Sequence, residues 1–482
     1  MSKIKQLAGE TVLYGVSTVL SKLLNWLLMP LFVRTLSIED NGYIIFFYSI
    51  IAIIQVVLTF GFETGFFRFV SVFPANKVFS TLLSFITAVG ITLFISVLVF
   101  DDFFTIILNA GGLGNIIVLI TAILIIDSIS ALPFALLRYY EKSLKYAFLR
   151  LIQVIIICIS NWILLVTFPK HLSNSLLESI NYNPLASVFI SNLLGSVVVL
   201  IFLGKTIFSN ITSISIDILK KVFHYSYPIW FVGIFGIFNQ VGDKILLNKF
   251  LSGNDNYDVL GIYGNNFKLG VLMALFTQSF RLAFEPFFFK YNNSANIRNS
   301  YATIMNYFVA FGVLIFLGVL LYLPVINLVL TKEYLEGNII IPYVLLGQLF
   351  FGIYYSLSLW YKLADKTYFG LLFTVIGSIL GITGYFVLIP LIGYLGAAIS
   401  GMIGYFVMMI LSYFFGQKHY PVPYNLKRIL SYFGIGLGLY FISIKLKMEN
   451  TMLTLFINTL LISIFIGYFA IKEKLINHLK KQ

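Results

Sequence analysis

Charged residues and cysteine are scarce in this sequence. Asp, Glu, Lys and Arg make up 11% of the 482 residues, whereas hydrophobic residues make up 59%. So few charges cannot cover a water-exposed surface, which excludes an ordinary soluble protein and places most of the chain in lipid. Cys158 is the single cysteine and lies within an apolar segment, so an internal disulfide is excluded. The four histidines are scattered along the chain and predict no metal site.

Long polar loops are also lacking, which leaves no room for a folded catalytic domain outside the membrane. Instead, apolar windows of roughly 20 residues, the length of one membrane-spanning helix, recur from Thr11 nearly to the C-terminus. They predict about fourteen transmembrane helices. The expected fold class is therefore an all-α integral membrane protein, and we expect neither an enzyme nor a bound cofactor.

The basic residues are distributed unevenly between the two predicted faces of the membrane. The sequence has 32 Lys and Arg against 19 Asp and Glu, a net charge of +13. If the N-terminus is cytoplasmic, most of the Lys and Arg fall on cytoplasmic loops and ends, as the positive-inside rule requires. This pattern predicts a multi-pass protein of the bacterial plasma (inner) membrane with both termini cytoplasmic. It disfavours nucleic acid as a partner.

A weak internal repeat indicates two related halves. The first span leaves the membrane through Arg34-Thr35-Leu36-Ser37 and the chain returns near Gly42, while the seventh leaves through Lys249-Phe250-Leu251-Ser252 and returns near Gly261. Transporters are often built from two such repeats. The predicted order is an N-terminal lobe at 1–204, a cytoplasmic linker at 205–221, a C-terminal lobe at 222–416, two further helices within 427–471 and a basic cytoplasmic tail at 472–482.

Several segments along the chain carry a family resemblance. They are Pro30 with Val33 to Ser37, Glu39-Asp40-Asn41-Gly42, Gly61 to Phe69, Tyr225-Ser226-Tyr227-Pro228 with Asp243-Lys244, Leu260 to Tyr263, Phe280 to Phe289 with Glu285-Pro286, and Leu395 to Ile399. In this order they resemble the Wzx-type polysaccharide and O-antigen flippases of the multidrug/oligosaccharidyl-lipid/polysaccharide (MOP) exporter superfamily.

The resemblance implies a fold and a substrate. It implies fourteen spans, with two pseudo-symmetric six-helix lobes in a V around a central cavity and two C-terminal helices. The implied activity moves undecaprenyl-pyrophosphate-linked oligosaccharide, such as an O-antigen, capsule or exopolysaccharide repeat unit, from the inner to the outer leaflet. The partners implied are this polyprenyl-linked glycan, membrane lipids, and the polymerase and glycosyltransferases of polysaccharide synthesis.

Two lysines lie near the middle of predicted spans, where a charge costs roughly 2.5 to 3.5 kcal/mol and calls for a partner or a function. Counted at about 1.5 Å per residue, Lys22 and Lys268 are both close to the midplane. Ammonium groups at this depth suit a pyrophosphate, or alternatively they pair with carboxylates. Arg281 either meets the pyrophosphate at the cytoplasmic mouth or pairs with Glu285, four residues along the same helix.

The carboxylates within or near the membrane suggest coupling and gating. Asp127, near the middle of the fourth span, either pairs with Lys22 or exchanges a proton or binds sodium, as intramembrane carboxylates of transporters do. Four charges near span ends suit gate ion pairs, although span ends also collect ordinary interfacial charges. These gate candidates are Glu63, Arg68, Asp243 and Lys244.

Other functions need different residues. A drug or cation antiporter of the same superfamily would need a mainly acidic, aromatic cavity, and here the midplane lysines outnumber the carboxylates. A flippase for lipid-linked peptidoglycan precursor shares the implied architecture and stays open as an alternative. A membrane-embedded glycosyltransferase would need a catalytic loop domain or paired carboxylates, which the spans do not offer.

Overall fold

The computed structural model describes residues 15, 17, 19–108, 110–179, 181–251, 256–291, 297–363 and 366–473, with side chains except at 174 and 282–291. Within these ranges every regular element is helical and there is no strand. Among the helical segments that the structure describes, eleven are long and apolar enough to cross a membrane. The predicted all-α membrane fold is therefore confirmed, while the count of fourteen spans stays a prediction.

The helices are numbered here in chain order. The first group is α1 (19–26), α2 (Met29–Thr35), α3 (Ile38–Thr59), α4 (Phe62–Phe69), α5 (Ala75–Val99), α6 (Asp101–Ile107), α7 (Gly114–Tyr139), α8 (Ser143–Trp162), α9 (Phe168–His171), α10 (Asn174–Ser179), α11 (Pro184–Phe208) and α12 (Ile216–Phe250). The second group is α13 (Asn256–Tyr291), α14 (Ile297–Leu321), α15 (Leu323–Ile326), α16 (Ile341–Leu357), α17 (Leu359–Leu363), α18 (Tyr368–His419), α19 (Leu426–Lys445) and α20 (Thr451–Lys472). A π-helical turn at Ile163–Thr167 continues α8, and a 3-10 helix at Lys332–Ile340 precedes α16.

The chain folds into two compact units, and the boundary between them falls between Ile245 and Leu246. Almost all of α12 therefore belongs to the first unit. The lobes expected at 1–204 and 222–416, the linker at 205–221 and the helices within 427–471 stay predictions. Most of the expected basic tail at 472–482 lies outside the described residues.

In the first unit, the second predicted span is interrupted between α3 and α4. Phe60 and Gly61 both have left-handed backbone angles, with φ of 51° and 66°. Glycine adopts this conformation without strain, whereas Phe60 is held in it by aromatic neighbours, including Phe85 and Trp230 at ring-centroid distances of 5.3 and 5.2 Å. Because of this break, the axis of α4 does not continue that of α3.

The new direction lays α4 against α12. A Cβ atom at Gly65 would lie 2.5 Å from Ser226 Oγ and 2.6 Å from Val222 Cγ1, and one at Gly61 would lie 3.3 Å from the Ser226 carbonyl oxygen. Two glycines four residues apart let helix backbones approach closely in a membrane. The sequence Gly61-Phe-Glu-Thr-Gly65 is thus a packing motif between two helices.

Helix α11 packs against both α7 and α8. At Gly195 a Cβ atom would lie 2.6 Å from Ile157 Cγ1 and 3.0 Å from the Gln153 carbonyl oxygen, so only glycine allows this approach. The close contact brings polar side chains of the three helices together in the interior of the first unit.

In the second unit, α16 packs against α13, α14 and α18. Gly352 of α16 permits close contact with both α13 and α14, because a Cβ atom there would lie 2.6 Å from Thr277 Oγ1 on α13 and 2.6 Å from Phe308 Cζ on α14. Helix α18 contains two non-helical residues, Ile392 and Gly393, the latter at φ 59°. Its 52 residues are therefore two helical segments joined by a sharp bend.

The last two helices are attached to α14. A Cβ atom at Gly436 of α19 would collide with the Val313 side chain. From α20, Asn458 Nδ2 donates a 2.7 Å hydrogen bond to the Leu321 carbonyl oxygen, and Asn458 Oδ1 accepts one from Ser443 Oγ at 2.7 Å. These polar contacts fix α19 and α20 to the second unit.

Candidate functional site

Asp127 of α7 faces a polar cluster inside the first unit. Its carboxylate interacts with the side chains of Ser196 on α11 and Gln153 on α8, and with the nearby charge of Arg150. Gln153 Nε2 in turn donates to Ser196 Oγ over 3.3 Å. The sequence predicted either pairing with Lys22 or ion coupling for Asp127, and both roles stay predictions; the charge of Arg150 also acts on this carboxylate.

Arg150 is itself held by aromatic rings. Its guanidinium lies 4.0 Å from the centre of the Phe134 ring and 5.7 Å from that of Tyr146. A cation stacked on an aromatic face inside a bundle is restricted in position. The charge beside Asp127 is therefore fixed by packing as well as by electrostatic attraction.

A second polar pair borders this cluster. Asn192 of α11, one turn before Ser196, donates from Nδ2 to Tyr48 Oη on α3 at 2.5 Å and to the Val188 carbonyl at 2.9 Å. Tyr48 is also within electrostatic range of Asp127. Carboxylate, amide and hydroxyl groups from four helices, α3, α7, α8 and α11, thus lie in this cluster. Oxygens of these groups are the ones that take up a proton or a small hard cation. The described residues contain no group of three or more His, Cys, Asp or Glu that could hold a metal ion.

Lys22 lies on α1, which runs along α8. Ser21 Oγ donates to the Arg150 carbonyl over 3.5 Å, and Cys158 Sγ donates to the Leu24 carbonyl over 3.8 Å. The Lys22 side chain is exposed, as access by a ligand requires. Its role as a pyrophosphate ligand stays a prediction.

Lys268 lies in the middle of α13 and is half-buried. Its Nζ donates a 3.1 Å hydrogen bond to Asn265 Oδ1, one turn earlier on the same helix, and Asn265 Nδ2 donates to the Gly261 carbonyl over 3.0 Å. A neutral amide orients an ammonium group without cancelling its charge. The role of Lys268 as a pyrophosphate ligand stays a prediction.

The gate candidates have different partners from one another. Glu63 of α4 forms an ion pair with Arg138 of α7, whose guanidinium also lies 5.2 Å from the Phe67 ring centre. Arg68 is exposed and makes no ion pair with any residue that the structure describes. Asp243 and Lys244, both buried, pair with each other at 2.9 Å. Their roles in gating stay predictions.

Arg281 of α13 lines a pocket in the second unit with residues of α16 and α17. Its guanidinium lies 5.0 Å from the centre of the Tyr355 ring. The pocket is lined by Thr277, Phe280, Arg281, Gly352, Tyr355, Ser356, Leu359 and Lys362. The Glu285 side chain lies outside the described residues, so its pairing with Arg281 stays a prediction.

Sequence reasoning missed several of these residues. Arg138, Arg150 and Lys362 stand out in the sequence only as basic residues of the cytoplasmic face. The sequence does contain a signal for the polar cluster. Gln153, Asn192 and Ser196 each lie within an apolar span, where a polar side chain needs a partner. Asn192 and Ser196 are also four residues apart and so share one face of α11.

The fold is one that flippases and transporters use. The chain is similar to the lipid II flippase MurJ in its inward closed conformation, with a TM-score of 0.75 and 16% identity over 96% of this chain and 99% of that one. It is also similar to an inward-facing multidrug resistance MATE transporter of the MOP superfamily. That likeness has a TM-score of 0.65 and 13% identity over 86% of this chain and 95% of that one. A third similar structure is a MOP superfamily transporter from Pyrococcus furiosus, described as having a binding pocket of reverse polarity. Its TM-score is 0.57, and it is 15% identical over 89% of this chain and 96% of that one.

At these identities the likeness shows the fold alone, which is the fold of these MOP-type transporters. A family model for polysaccharide biosynthesis proteins matches residues 7–292. This match covers more than half of the chain, so the protein belongs to the polysaccharide biosynthesis protein family. No curated protein sequence matches it significantly. The family resemblance seen in the sequence is confirmed.

Proposed function

We propose that this protein is a flippase that moves polyprenyl-pyrophosphate-linked oligosaccharide from the inner to the outer leaflet of the bacterial plasma membrane by alternating access. Membership of the polysaccharide biosynthesis family carries the proposal. The midplane lysines add support, because Lys22 is exposed and Lys268 is hydrogen-bonded to a neutral amide. Both can offer positive charge to a pyrophosphate, and ammonium groups bind phosphate as point charges.

The energetics favour export of an anion. A negative charge moving out of a negative interior gains about 2.3 kcal/mol per 100 mV. Asp127 and its polar neighbours provide a second drive by exchanging a proton or sodium. The ion pair Glu63–Arg138, which joins two helices, acts as a gate. In this scheme both termini are cytoplasmic, and the polysaccharide polymerase and glycosyltransferases act on either side of the flipping step.

The test is the amount of labelled undecaprenyl-pyrophosphate glycan exposed on the outer leaflet of cells. We expect exposure to disappear on deletion of the protein and to fall at least about tenfold in Lys22→Ala and Lys268→Ala, since each hydrogen bond to a charged group contributes about 1.5 to 3 kcal/mol. Lys22→Arg and Lys268→Arg should retain most of it. Lys249→Ala, which removes an exposed lysine at the end of α12, is the matched control and should behave as wild type.

A flippase for lipid-linked peptidoglycan precursor is the second candidate. The likeness to the lipid II flippase MurJ over 96% of the chain favours it. The same cells separate the two: loss of surface glycan with normal lipid II exposure supports the first function, and the opposite pattern supports the second. If neither lipid is affected by deletion, both proposals fail and drug or cation export becomes the function to measure.

A further inference from the structure

The first unit has an open hollow beside the start of α12. Its volume is about 670 Å³, within the range of about 300 to 1,000 Å³ that small-molecule sites have. Helix α4 contributes Phe69, and the other lining residues, which include Lys220, Lys221 and His224, belong to α12. The hollow is therefore large enough for a lipid headgroup, and its basic side chains come from a single helix.

The charge in this hollow is positive. Lys220 and Lys221 are both exposed, and neither makes an ion pair with any residue that the structure describes. Lys221 Nζ lies 5.3 Å from the centre of the Phe73 ring. Asp217 precedes the lysines on α12 but is exposed and does not pair with them, and none of the described lining residues is acidic. The two ammonium groups are thus available to an anion.

Aromatic side chains surround the lysines. The Tyr225 ring packs edge-on against Phe69 at a centroid distance of 5.9 Å, and the Tyr227 ring lies 5.8 Å from that of His224. Both tyrosines are exposed, and within the described part of the chain their hydroxyls have no hydrogen-bond partner. Tyrosine is enriched at membrane–water interfaces, and its hydroxyl can donate to a phosphate oxygen.

The length of α12 indicates the depth of the hollow. The helix has 35 residues and is therefore about 52 Å long at 1.5 Å per residue, whereas the hydrocarbon core of a bilayer is about 30 Å thick. If α12 spans the membrane, its ends project beyond the hydrocarbon. Exposed lysines near its start belong at the level of the lipid headgroups, since a charge within the hydrocarbon is costly.

An apolar stripe continues from the hollow along α12. Tyr227, Phe231 and Phe235 are four residues apart, so they share one face of the helix. Their side chains are 43, 52 and 43% exposed. A soluble anion has no use for such a stripe, whereas the acyl chains of a lipid can pack against it. The stripe therefore favours a lipid as the ligand of the hollow.

We propose that this hollow binds the headgroup of an anionic phospholipid, with Lys220 and Lys221 at its phosphate. Exposed lysines bind such a group only weakly, because water and salt screen them. Weak binding is enough for a lipid that is a bulk component of the membrane. The site shares no residue with the predicted pyrophosphate ligands Lys22, Lys268 and Arg281, and it does not depend on the flippase proposal.

The experiment is native mass spectrometry of the purified full-length protein with phosphatidylglycerol or with phosphatidylcholine of the same acyl chains. It measures the Kd of the first lipid bound. We expect wild type to prefer phosphatidylglycerol about 25-fold, Lys221→Gln to weaken its binding about fivefold, and the double change Lys220→Gln with Lys221→Gln to abolish the preference. The double change to arginine should keep it. Phosphatidylcholine binding and melting temperature should not change, because both lysines are exposed.

Lys205→Gln is the matched control, because Lys205 is an exposed lysine at the end of α11 that does not line the hollow. Its Kd for phosphatidylglycerol should equal that of wild type. An equal loss in Lys205→Gln and Lys221→Gln would mean diffuse attraction and would overturn the site, as would a wild type without preference between the two lipids. Tighter binding of undecaprenyl pyrophosphate that depends on the same two lysines would make the transported lipid the ligand, and would overturn the assignment to a phospholipid.

Discussion

Glu63 and Arg138 form an ion pair that joins α4 to α7 across 75 residues of sequence. Both side chains are partly exposed, at 49% and 33%, so the pair contributes little to stability, less than about 1 kcal/mol. We therefore expect Glu63→Arg and Arg138→Glu to leave melting nearly unchanged but to lower glycan exposure, because each places like charges together. The double swap should restore exposure. The control is Lys142→Ala, an exposed cation just after α7. If glycan exposure in the double variant is no higher than in the single variants, the pair is not a gate.

The Asp127 cluster leads to a prediction that separates packing from coupling. Asp127→Asn removes the carboxylate near Arg150 and weakens its interactions with Ser196 and Gln153, so we expect a lower melting temperature. Adding Arg150→Gln should recover most of that stability. Glycan exposure should stay low in the double variant if Asp127 also couples an ion, and it should recover if Asp127 only pairs with Arg150. Thermal melting and the exposure assay, each with and without a protonophore, provide the two measurements.

The contact between Gly65 and Ser226 predicts a strong response to a single methyl group. Gly65→Ala should cost about 1 to 3 kcal/mol, because its Cβ would lie 2.5 Å from a fully buried Ser226 Oγ. That hydroxyl has no hydrogen-bond partner among the described residues, so Ser226→Ala should be nearly neutral and should partly rescue Gly65→Ala. Gly236→Ala is the control, since nothing lies within 4 Å of its Cβ position. Equal melting temperatures for the two glycine variants would contradict the contact.

Asn458 tests how firmly the last two helices are attached. Asn458→Ala removes its hydrogen bonds with Leu321 and Ser443, and interhelical hydrogen bonds in membranes contribute about 0.6 to 2 kcal/mol. We expect a lower melting temperature in detergent. Ser463→Ala on the same helix should have no effect, because Ser463 bonds only to its own helix, at the Thr459 carbonyl. A similar loss in both variants would mean that the interhelical bonds are unimportant.

Much of the fold followed from the sequence because lipid imposes simple rules. Apolar windows of span length predicted the all-α membrane fold, and motifs such as Gly61 to Phe69 predicted the family; both are confirmed. The membrane depths of Lys22, Asp127 and Lys268 follow from a helical advance of about 1.5 Å per residue, and they stay predictions.

The partners of these charges could not be found in the same way. Depth along a helix does not tell which way a side chain points, and a rotation of α7 or α8 would have offered Asp127 a different cation. Gly195 lets α11 approach α8 closely, which brings Ser196 against Gln153, and depth along a helix does not reveal such a contact. Similarly, Thr277 and Lys362 come from different helices, and only tertiary packing places them around one pocket.

The break at Phe60–Gly61 has a mechanical consequence. A continuous helix would transmit motion along its axis from α3 to α4, but the left-handed residues interrupt that rod, and α4 is instead fastened sideways to α12. Residues 62–69 can therefore be displaced independently of α3, and they pack against α5 and α7 as well as α12. Since Glu63 lies on this segment and its partner Arg138 lies on α7, a movement of the segment relative to α7 loads that ion pair directly.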